Sequence, residues 1–244
     1  MKKLTVTLLL LALVFSLLAF NSCAKEERML SLGIGTYTEL INESAKGTAN
    51  GYGNAITTVA VALFDENGKL VDCYFDVADS SVEYTSAGKY VAPTEAFKTK
   101  RELGDSYVMS SDETKLKWYE QADAFANAAK GKTTDEIKAL VAEGGKGVSE
   151  VISAGCTITV SDFALAVEDA AKNTKSITAG DAAKLELSVK TEATGKDASG
   201  SELGSVKLTV KMDAKVKEGS AERASVTKAL ENSFAFNAEG QAQS

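Results

Sequence analysis

The sequence contains no histidine among its 244 residues. Histidine is the commonest general base in enzymes and the commonest protein ligand of transition metals, so its absence argues against a zinc hydrolase and a Ser-His-Asp hydrolase together. Cysteine is scarce as well, with Cys23, Cys73 and Cys156 the three in the chain. Cys73 and Cys156 are too few for a disulfide framework; they either pair with each other outside the cell or remain buried, inert thiols.

Positive charge is also in short supply. The chain carries 27 Lys and Arg against 34 Asp and Glu, a net charge of -7, and the cations form no basic cluster. A protein that binds the phosphate backbone needs such a cluster. A nucleic-acid partner is therefore not expected.

The one long apolar run lies at the N-terminus. Lys2 and Lys3 precede the nearly unbroken apolar residues 4–20, a pattern typical of a signal peptide. A membrane-spanning helix needs about 20 apolar residues. The run falls somewhat short of that length, although a transmembrane anchor and an ordinary secreted protein remain the alternatives.

The run ends in Phe20-Asn21-Ser22-Cys23, and charged residues follow at once. This junction resembles the lipobox of bacterial lipoproteins, in which a small residue precedes the cysteine; an aliphatic residue usually stands where Phe20 stands. The resemblance implies a signal peptide over residues 1–22, a diacylglycerol on Cys23 and a short tether over residues 23–30. The protein would then be anchored by its lipid on the extracytoplasmic face of the cell membrane.

The remaining chain of about 220 residues is long enough for one large domain or one and a half ordinary ones. Residues 55–64 and 70–77 are rich in β-branched and apolar residues and flank a turn at 65–69, which predicts a β-hairpin. The first strand is apolar on both faces. We expect its sheet to be covered on both sides, or by a helix on the face of Val59, Val61 and Leu63.

Helical spacing follows in the middle of the chain. Residues 112–130 predict an amphipathic helix that contains Trp118 and Phe125 in its apolar stripe. Thr133 and Glu136 have the spacing of a capping box and predict a second, shorter helix. Ser161 is a candidate N-cap for a third helix over residues 162–172. Aromatic residues at this spacing are more typical of a core than of cofactor stacking.

The C-terminal part changes character. Residues 185–190 and 206–213 alternate strictly between apolar and polar, which predicts antiparallel strands with one buried face. Residues 174–236 therefore form a β-hairpin-rich segment, interpreted either as a partial second repeat of the first hairpin or as an unrelated hairpin. The polar residues 237–244 predict a disordered tail. The expected fold class is α+β: a small antiparallel sheet with packed helices, followed by a partial hairpin repeat.

One segment carries a functional signal. Ala154-Gly155-Cys156-Thr157, followed by Ile158-Thr159-Val160-Ser161-Asp162-Phe163, resembles the flavin attachment segment of FMN-binding domains found in extracytoplasmic electron-transfer proteins. That family has a Ser-Gly-Ala-Thr core followed by Thr or Ser residues and a helix. Here Ala154 replaces Ser, Cys156 replaces Ala, and Val151 stands where the family has Asp.

Other stretches agree with this resemblance in order and spacing. Gly33 to Thr38, the Gly51-Tyr52-Gly53 triplet and the following hairpin are similar to the opening of FMN-binding domains. Residues 100–109 and the Trp118-Tyr119-Glu120-Gln121-Ala122 stretch are similar to flavinylated lipoproteins of the Listeria extracellular electron-transfer type. The resemblance implies an FMN-binding-like domain over residues 31–173.

The resemblance also implies a chemistry. Thr157 would carry FMN through a phosphoester, made from FAD by a separate flavin transferase, with Ala154, Gly155 and Cys156 beside the cofactor. Gly155 would allow a close backbone approach, and the first turn of the next helix would offer N–H groups to the phosphate. The protein would be an electron carrier supplied by a membrane donor rather than an enzyme. Cys73 and Cys156 would then be free thiols, because a disulfide at Cys156 would crowd the flavin.

Two functions of other classes remain open. One is a cofactor-free lipoprotein that binds a solute or a component of the cell envelope. The other is a purely structural envelope protein. Covalently attached flavin distinguishes the carrier from both.

Overall fold

The computed structural model describes residues 28–109, 116–218 and 221–243. The predicted signal peptide, Cys23 and most of the predicted tether lie outside these residues, as does the start of the helix predicted over 112–130. Within the described ranges no helix combines the length and the apolar character needed to cross a membrane.

The first sheet has five antiparallel strands in the order β4-β3-β2-β1-β5. The strands are β1 (Met29–Glu43), β2 (Gly51–Phe64), β3 (Leu70–Tyr84), β4 (Tyr90–Val91) and β5 (Thr174–Thr178). The predicted hairpin is confirmed as β2 and β3. Its turn is held by the Asp65 carboxylate, which accepts hydrogen bonds of 2.9 Å from the N–H groups of Asn67 and Lys69.

Helices cover one face of this sheet. They are α1 (Lys100–Leu103), α2 (Trp118–Ala129), α3 (Thr134–Lys138), α4 (Ser149–Ser153) and α5 (Ser161–Lys172), and the short α6 (Ala179–Ala182) follows β5. Phe75 of β3 stacks on Phe163 of α5 at 4.5 Å between ring centroids. Trp118 and Phe125 are buried in the same core, as their spacing predicts.

Two of the predicted helix starts can be checked directly. The capping box at Thr133 is confirmed, because the Thr133 side chain accepts from the Glu136 N–H and the Glu136 carboxylate accepts from the Thr133 N–H. The prediction of Ser161 as an N-cap is wrong. Val160 is the N-cap of α5, and Ser161 is the first helical residue, whose hydroxyl donates to Asp162 instead.

Two glycines of β1 set the distance between α5 and the sheet. A Cβ atom at Gly33 would lie 2.0 Å from the carbonyl oxygen of Ala170, and one at Gly35 would lie 1.9 Å from that of Ala166. Both obstacles are backbone atoms, which cannot turn aside. The Gly-Ile-Gly stretch is therefore needed for close packing of α5, whatever else it resembles.

A second antiparallel sheet covers the opposite face of the first, in the order β6-β7-β8-β9. Its strands are β6 (Leu185–Lys196), β7 (Gly204–Glu218), β8 (Ala221–Phe236) and β9 (Ala242–Gln243). The strict alternation predicted in β7 is confirmed by its fully buried residues Val206, Leu208, Val210, Met212, Ala214 and Val216. The last four of these residues pack in a common core with Val59, Val61 and Leu63 of β2, and the first two pack in a core with Ala55 of β2. The first sheet is covered on both sides, and the layer over the Val59 face is the second sheet, with Ala182 of α6 in the same core.

The structure therefore has three layers: helices, a five-stranded sheet and a four-stranded sheet. The expected α+β class is confirmed, with more strand than helix. β5 follows residue 173, the predicted end of the first domain, yet it pairs with β1. The predicted disordered tail is wrong for residues 237–243, where Asn237 closes a turn with Gln241 and β9 pairs with β8.

One carboxylate joins the layers at the open edge of β1. Beyond Gly33, where pairing with β5 ends, the Thr36 N–H donates to Asp169 of α5 at 2.8 Å. Lys228 of β8 forms an ion pair with the same carboxylate. Burial raises the pKa of Asp169, but Lys228 and the Thr36 N–H outweigh it and hold this pKa below its ordinary value. Asp169 thus links a strand, a helix and the second sheet.

Candidate functional site

The segment singled out in the sequence forms the connection between α4 and α5. Ala154 is exposed at the C-terminal end of α4, and Gly155 follows with φ of +100°. A Cβ atom at Gly155 would lie 2.6 Å from Cδ1 of Leu116, an exposed side chain that can move aside, so it is the positive φ rather than the space that requires glycine there. The chain can turn sharply at this point.

Cys156 does not share that surface. Its side chain is fully buried in the helix-side core, and its N–H donates to the Val151 carbonyl oxygen at 3.2 Å. Burial raises the pKa of the Cys156 thiol to about 11. Cys73 is buried in the same core, and both cysteines are free thiols, as expected. Cys156 therefore holds the loop from beneath rather than lying beside a ligand at its surface.

Thr157 is exposed, and one buried side chain binds both its N–H and its hydroxyl. Both its N–H and its hydroxyl donate to Oε1 of Gln121, at 2.8 Å and 3.1 Å. Gln121 is only 3% exposed, and its Nε2 donates to the carbonyl oxygen of Leu116 at 2.9 Å. The amide thus bridges the start of α2 and the Thr157 loop. It fixes the position of the Thr157 hydroxyl while leaving that hydroxyl at the surface.

Gln121 is the residue that the sequence did not single out. It lies on α2 in the buried stripe formed by Trp118, Ala122 and Phe125. A polar side chain among buried apolar ones must find hydrogen-bond partners inside the protein. That mismatch is the signal that points to Gln121, although the sequence does not reveal its partner.

A second contact holds the loop from the other side. The ammonium of the exposed Lys146 lies 3.1 Å from the carbonyl oxygen of Thr157 and donates to it. Lys146 also pairs through its backbone with Thr159, and the Val160 N–H donates to the Gly145 carbonyl oxygen at 2.7 Å. The loop therefore carries a positive charge close to Thr157.

The start of α5 lies just beyond. Val160 provides no side-chain cap, so no side chain of the N-cap residue satisfies the first-turn N–H groups. Free N–H groups at a helix N-terminus favour an anion. The carboxylate of Asp162 in the same turn opposes this preference.

A shallow groove borders Ala154 on the α2 side. Its apolar walls come from Leu116, Ala124, Ala128 and Ala154, and its polar residues are Glu120, Asp123, Asn127 and Glu150. All three carboxylates have partners: Asp123 pairs with Arg101, Glu150 lies 3.9 Å from Lys132, and Glu120 accepts a hydrogen bond from the Lys117 N–H at 2.7 Å. The groove is acidic, so it suits an uncharged or cationic group better than a phosphate.

Other site types find no support in the described ranges. There, no cluster of three or more His, Cys, Asp or Glu side chains is placed to hold a metal ion. The carboxylate of Asp76 is buried, but its bonds to the N–H groups of Val77 and Arg101 give it a structural role in attaching α1 to β3.

No known protein family, curated protein or solved structure matches the chain.

Proposed function

We propose that this protein is a lipid-anchored carrier of covalently attached FMN, with Thr157 as the attachment residue. It would accept electrons from a membrane donor and pass them to an acceptor outside the cytoplasmic membrane. The observation that carries the proposal is the hydroxyl of the exposed Thr157, which is held by the buried Gln121 amide. This amide binds the hydroxyl as well as the N–H, so it fixes the side chain of Thr157 in addition to its backbone.

The residues around Thr157 fit a phosphoester. Gly155 provides the turn that brings Thr157 to the surface, and Lys146 supplies a positive charge next to it. The first turn of α5 contributes less, because the Asp162 carboxylate offsets the attraction of its N–H groups for a phosphate. Bound FMN would supply the redox chemistry, and the chain's own residues would position it and exclude water from one side. In this proposal the fold is of the FMN-binding-domain type.

The lipid on Cys23 completes the proposal. A tethered carrier is confined near its membrane donor, which raises its effective concentration there. Strand β1 begins at Met29, six residues after Cys23. A short tether suits a donor that is itself in the membrane.

A cofactor-free binding lipoprotein is the second candidate function. The acidic groove beside Ala154 favours it, because three carboxylates around apolar walls suit a cationic solute or a basic segment of a partner. In this case the Thr157 loop would be only one wall of the groove.

Coexpression with a flavin transferase separates the two candidates. The protein is denatured after coexpression and resolved on a gel, and flavin fluorescence is sought in its band. The carrier predicts a fluorescent band that is lost in Thr157→Ala and retained in Thr159→Ala. A dark wild-type band would remove the carrier function and leave the binding function.

A further inference from the structure

We infer that Gln121 is a positioning residue that presents the Thr157 hydroxyl for flavin transfer and selects it over the neighbouring hydroxyls. This inference rests on the proposed function. Gln121 is 36 residues away from Thr157 in the sequence, and it accepts from both the backbone and the side chain of that residue. Its own amide is fixed in turn by the Leu116 carbonyl oxygen.

The other hydroxyls of the segment are held differently. Thr159 pairs with Lys146 through its backbone rather than its side chain. The hydroxyl of Ser161 lies 3.0 Å from the Asp162 carboxylate and donates to it, and that negative charge repels an incoming phosphate. Thr157 alone of these three is tied at both its N–H and its hydroxyl to a buried amide.

The geometry explains how an amide can assist without taking part in proton transfer. Because the Thr157 hydroxyl donates its proton to Oε1 of Gln121, the lone pairs of its oxygen remain available on the exposed side. In the transfer, Oγ1 forms a bond to the phosphorus of the FMN half of a flavin dinucleotide. The bond to the bridging oxygen of the pyrophosphate breaks, AMP leaves, and the hydroxyl proton passes to a base of the transferase.

An amide is too weak a base to accept that proton, so Gln121 contributes position only. Once the ester has formed, the hydroxyl proton is gone, but the Thr157 N–H still donates to Gln121. The same amide would therefore hold the backbone of the modified residue. Fixing a reacting atom in this way is worth roughly a hundredfold in rate for a displacement of about 1 Å.

The test compares the rate and the site of labelling in matched variants of the full chain. Gln121→Met keeps an unbranched side chain of similar length but loses the acceptor oxygen. Asn173→Met makes the same kind of change at an exposed position at the far end of α5 and serves as the control. Each protein is incubated with FAD and a flavin transferase; fluorescence of the denatured band gives the initial rate, and peptide mass mapping gives the site.

We expect Gln121→Met to be labelled about tenfold more slowly than wild type or slower, with the control at the wild-type rate. Backbone amide exchange at Thr157 should also be faster in Gln121→Met, with or without flavin. Equal rates in Gln121→Met and wild type would overturn the inference and leave the carrier intact. An unlabelled wild type would instead overturn the carrier function, and this inference with it.

A comparison at matched stability separates positioning from stability. Gln121→Met should still be labelled more slowly than wild type when the two are compared at temperatures equally far below their melting points. If the labelling rates of all variants follow their thermal stabilities alone, Gln121 has a structural role and the inference is wrong.

Discussion

Replacing Gly35 by alanine should destabilise the protein strongly, although alanine is the better residue by backbone preference. The added Cβ would lie 1.9 Å from the Ala166 carbonyl oxygen and 2.2 Å from the Ala170 nitrogen. To restore an ordinary contact, α5 must move away from the sheet by about 1.5 Å. That displacement loosens every buried residue of the helix, namely Phe163, Ala164, Ala166, Val167 and Ala170.

The magnitude follows from the cost of overpacking a well-packed core, about 1–3 kcal/mol where side chains can adjust. Here the obstacles are backbone atoms, so we expect the upper end, about 3 kcal/mol. For a chain of this size that is roughly 6–12 °C in melting temperature. Backbone entropy alone predicts the opposite sign, a gain of roughly 0.5–1 kcal/mol for Gly to Ala in a strand.

Urea and thermal unfolding of the chain from residue 24 onward measure this change. Gly68→Ala is the control, because Gly68 has φ of +72° and open space around its Cβ position. It should cost only the left-handed backbone strain, about 1 kcal/mol. A Gly35→Ala protein as stable as wild type, or no less stable than Gly68→Ala, would refute the packing argument.

Three further predictions concern the layers and the core. The folded-state pKa of Asp169 lies below its unfolded-state pKa, so the stability that Asp169 contributes is present above the unfolded-state pKa and is lost as the pH falls through the folded-state pKa. Lys228→Gln should weaken this loss of stability in acid, as measured by urea titrations at a series of pH values. An unchanged dependence of stability on pH would contradict the role of Lys228. Burial raises the pKa of the Cys156 thiol to about 11, so this thiol should resist iodoacetamide in the native protein at about pH 8 and react once the protein unfolds. Equal alkylation rates in the native and unfolded protein would disprove its burial. Phe236 is fully buried and stacks on Tyr84 between the two sheets, with 4.4 Å between the ring centroids. Phe236→Ala should therefore lower the free energy of unfolding in urea by about 3–5 kcal/mol. A decrease below about 1 kcal/mol would contradict this packing.

Elements with local signals were predictable from the sequence. The β2–β3 hairpin is specified by its apolar strands and by its turn, in which the Asp65 carboxylate accepts hydrogen bonds from the N–H groups of Asn67 and Lys69. The start of α3 is specified by Thr133 and Glu136, which bond reciprocally within one turn. In each case the interacting groups lie within four residues of one another, so the spacing alone carries the information.

Elements that depend on distant contacts were not predictable in the same way. β1 contains Gly33 and Gly35, which weaken a strand pattern and are explained only by the approach of α5. The turn after Asn237 is polar, yet the Ala45 N–H donates to the Gly240 carbonyl oxygen, and this contact joins the tail to the end of β1. A polar composition alone does not predict such an anchored tail.

The residues of the candidate site also differ in whether a local sequence pattern or only the fold reveals them. Thr157 and Gly155 emerged from a resemblance in one short segment, and the positive φ of Gly155 gives that glycine a physical reason. Gln121 and Lys146 are separated from Thr157 in the sequence and meet it only in the folded chain. The fold also shows that Cys156 faces the core, which the segment alone does not indicate.

Peptide mass mapping after coexpression with a flavin transferase decides whether Thr157 carries flavin. The peptide containing Thr157 should gain the mass of FMN less one water, and Thr157→Ala should abolish this gain while the protein remains folded. An unmodified Thr157 peptide from a folded, coexpressed wild-type protein would contradict flavin attachment at Thr157.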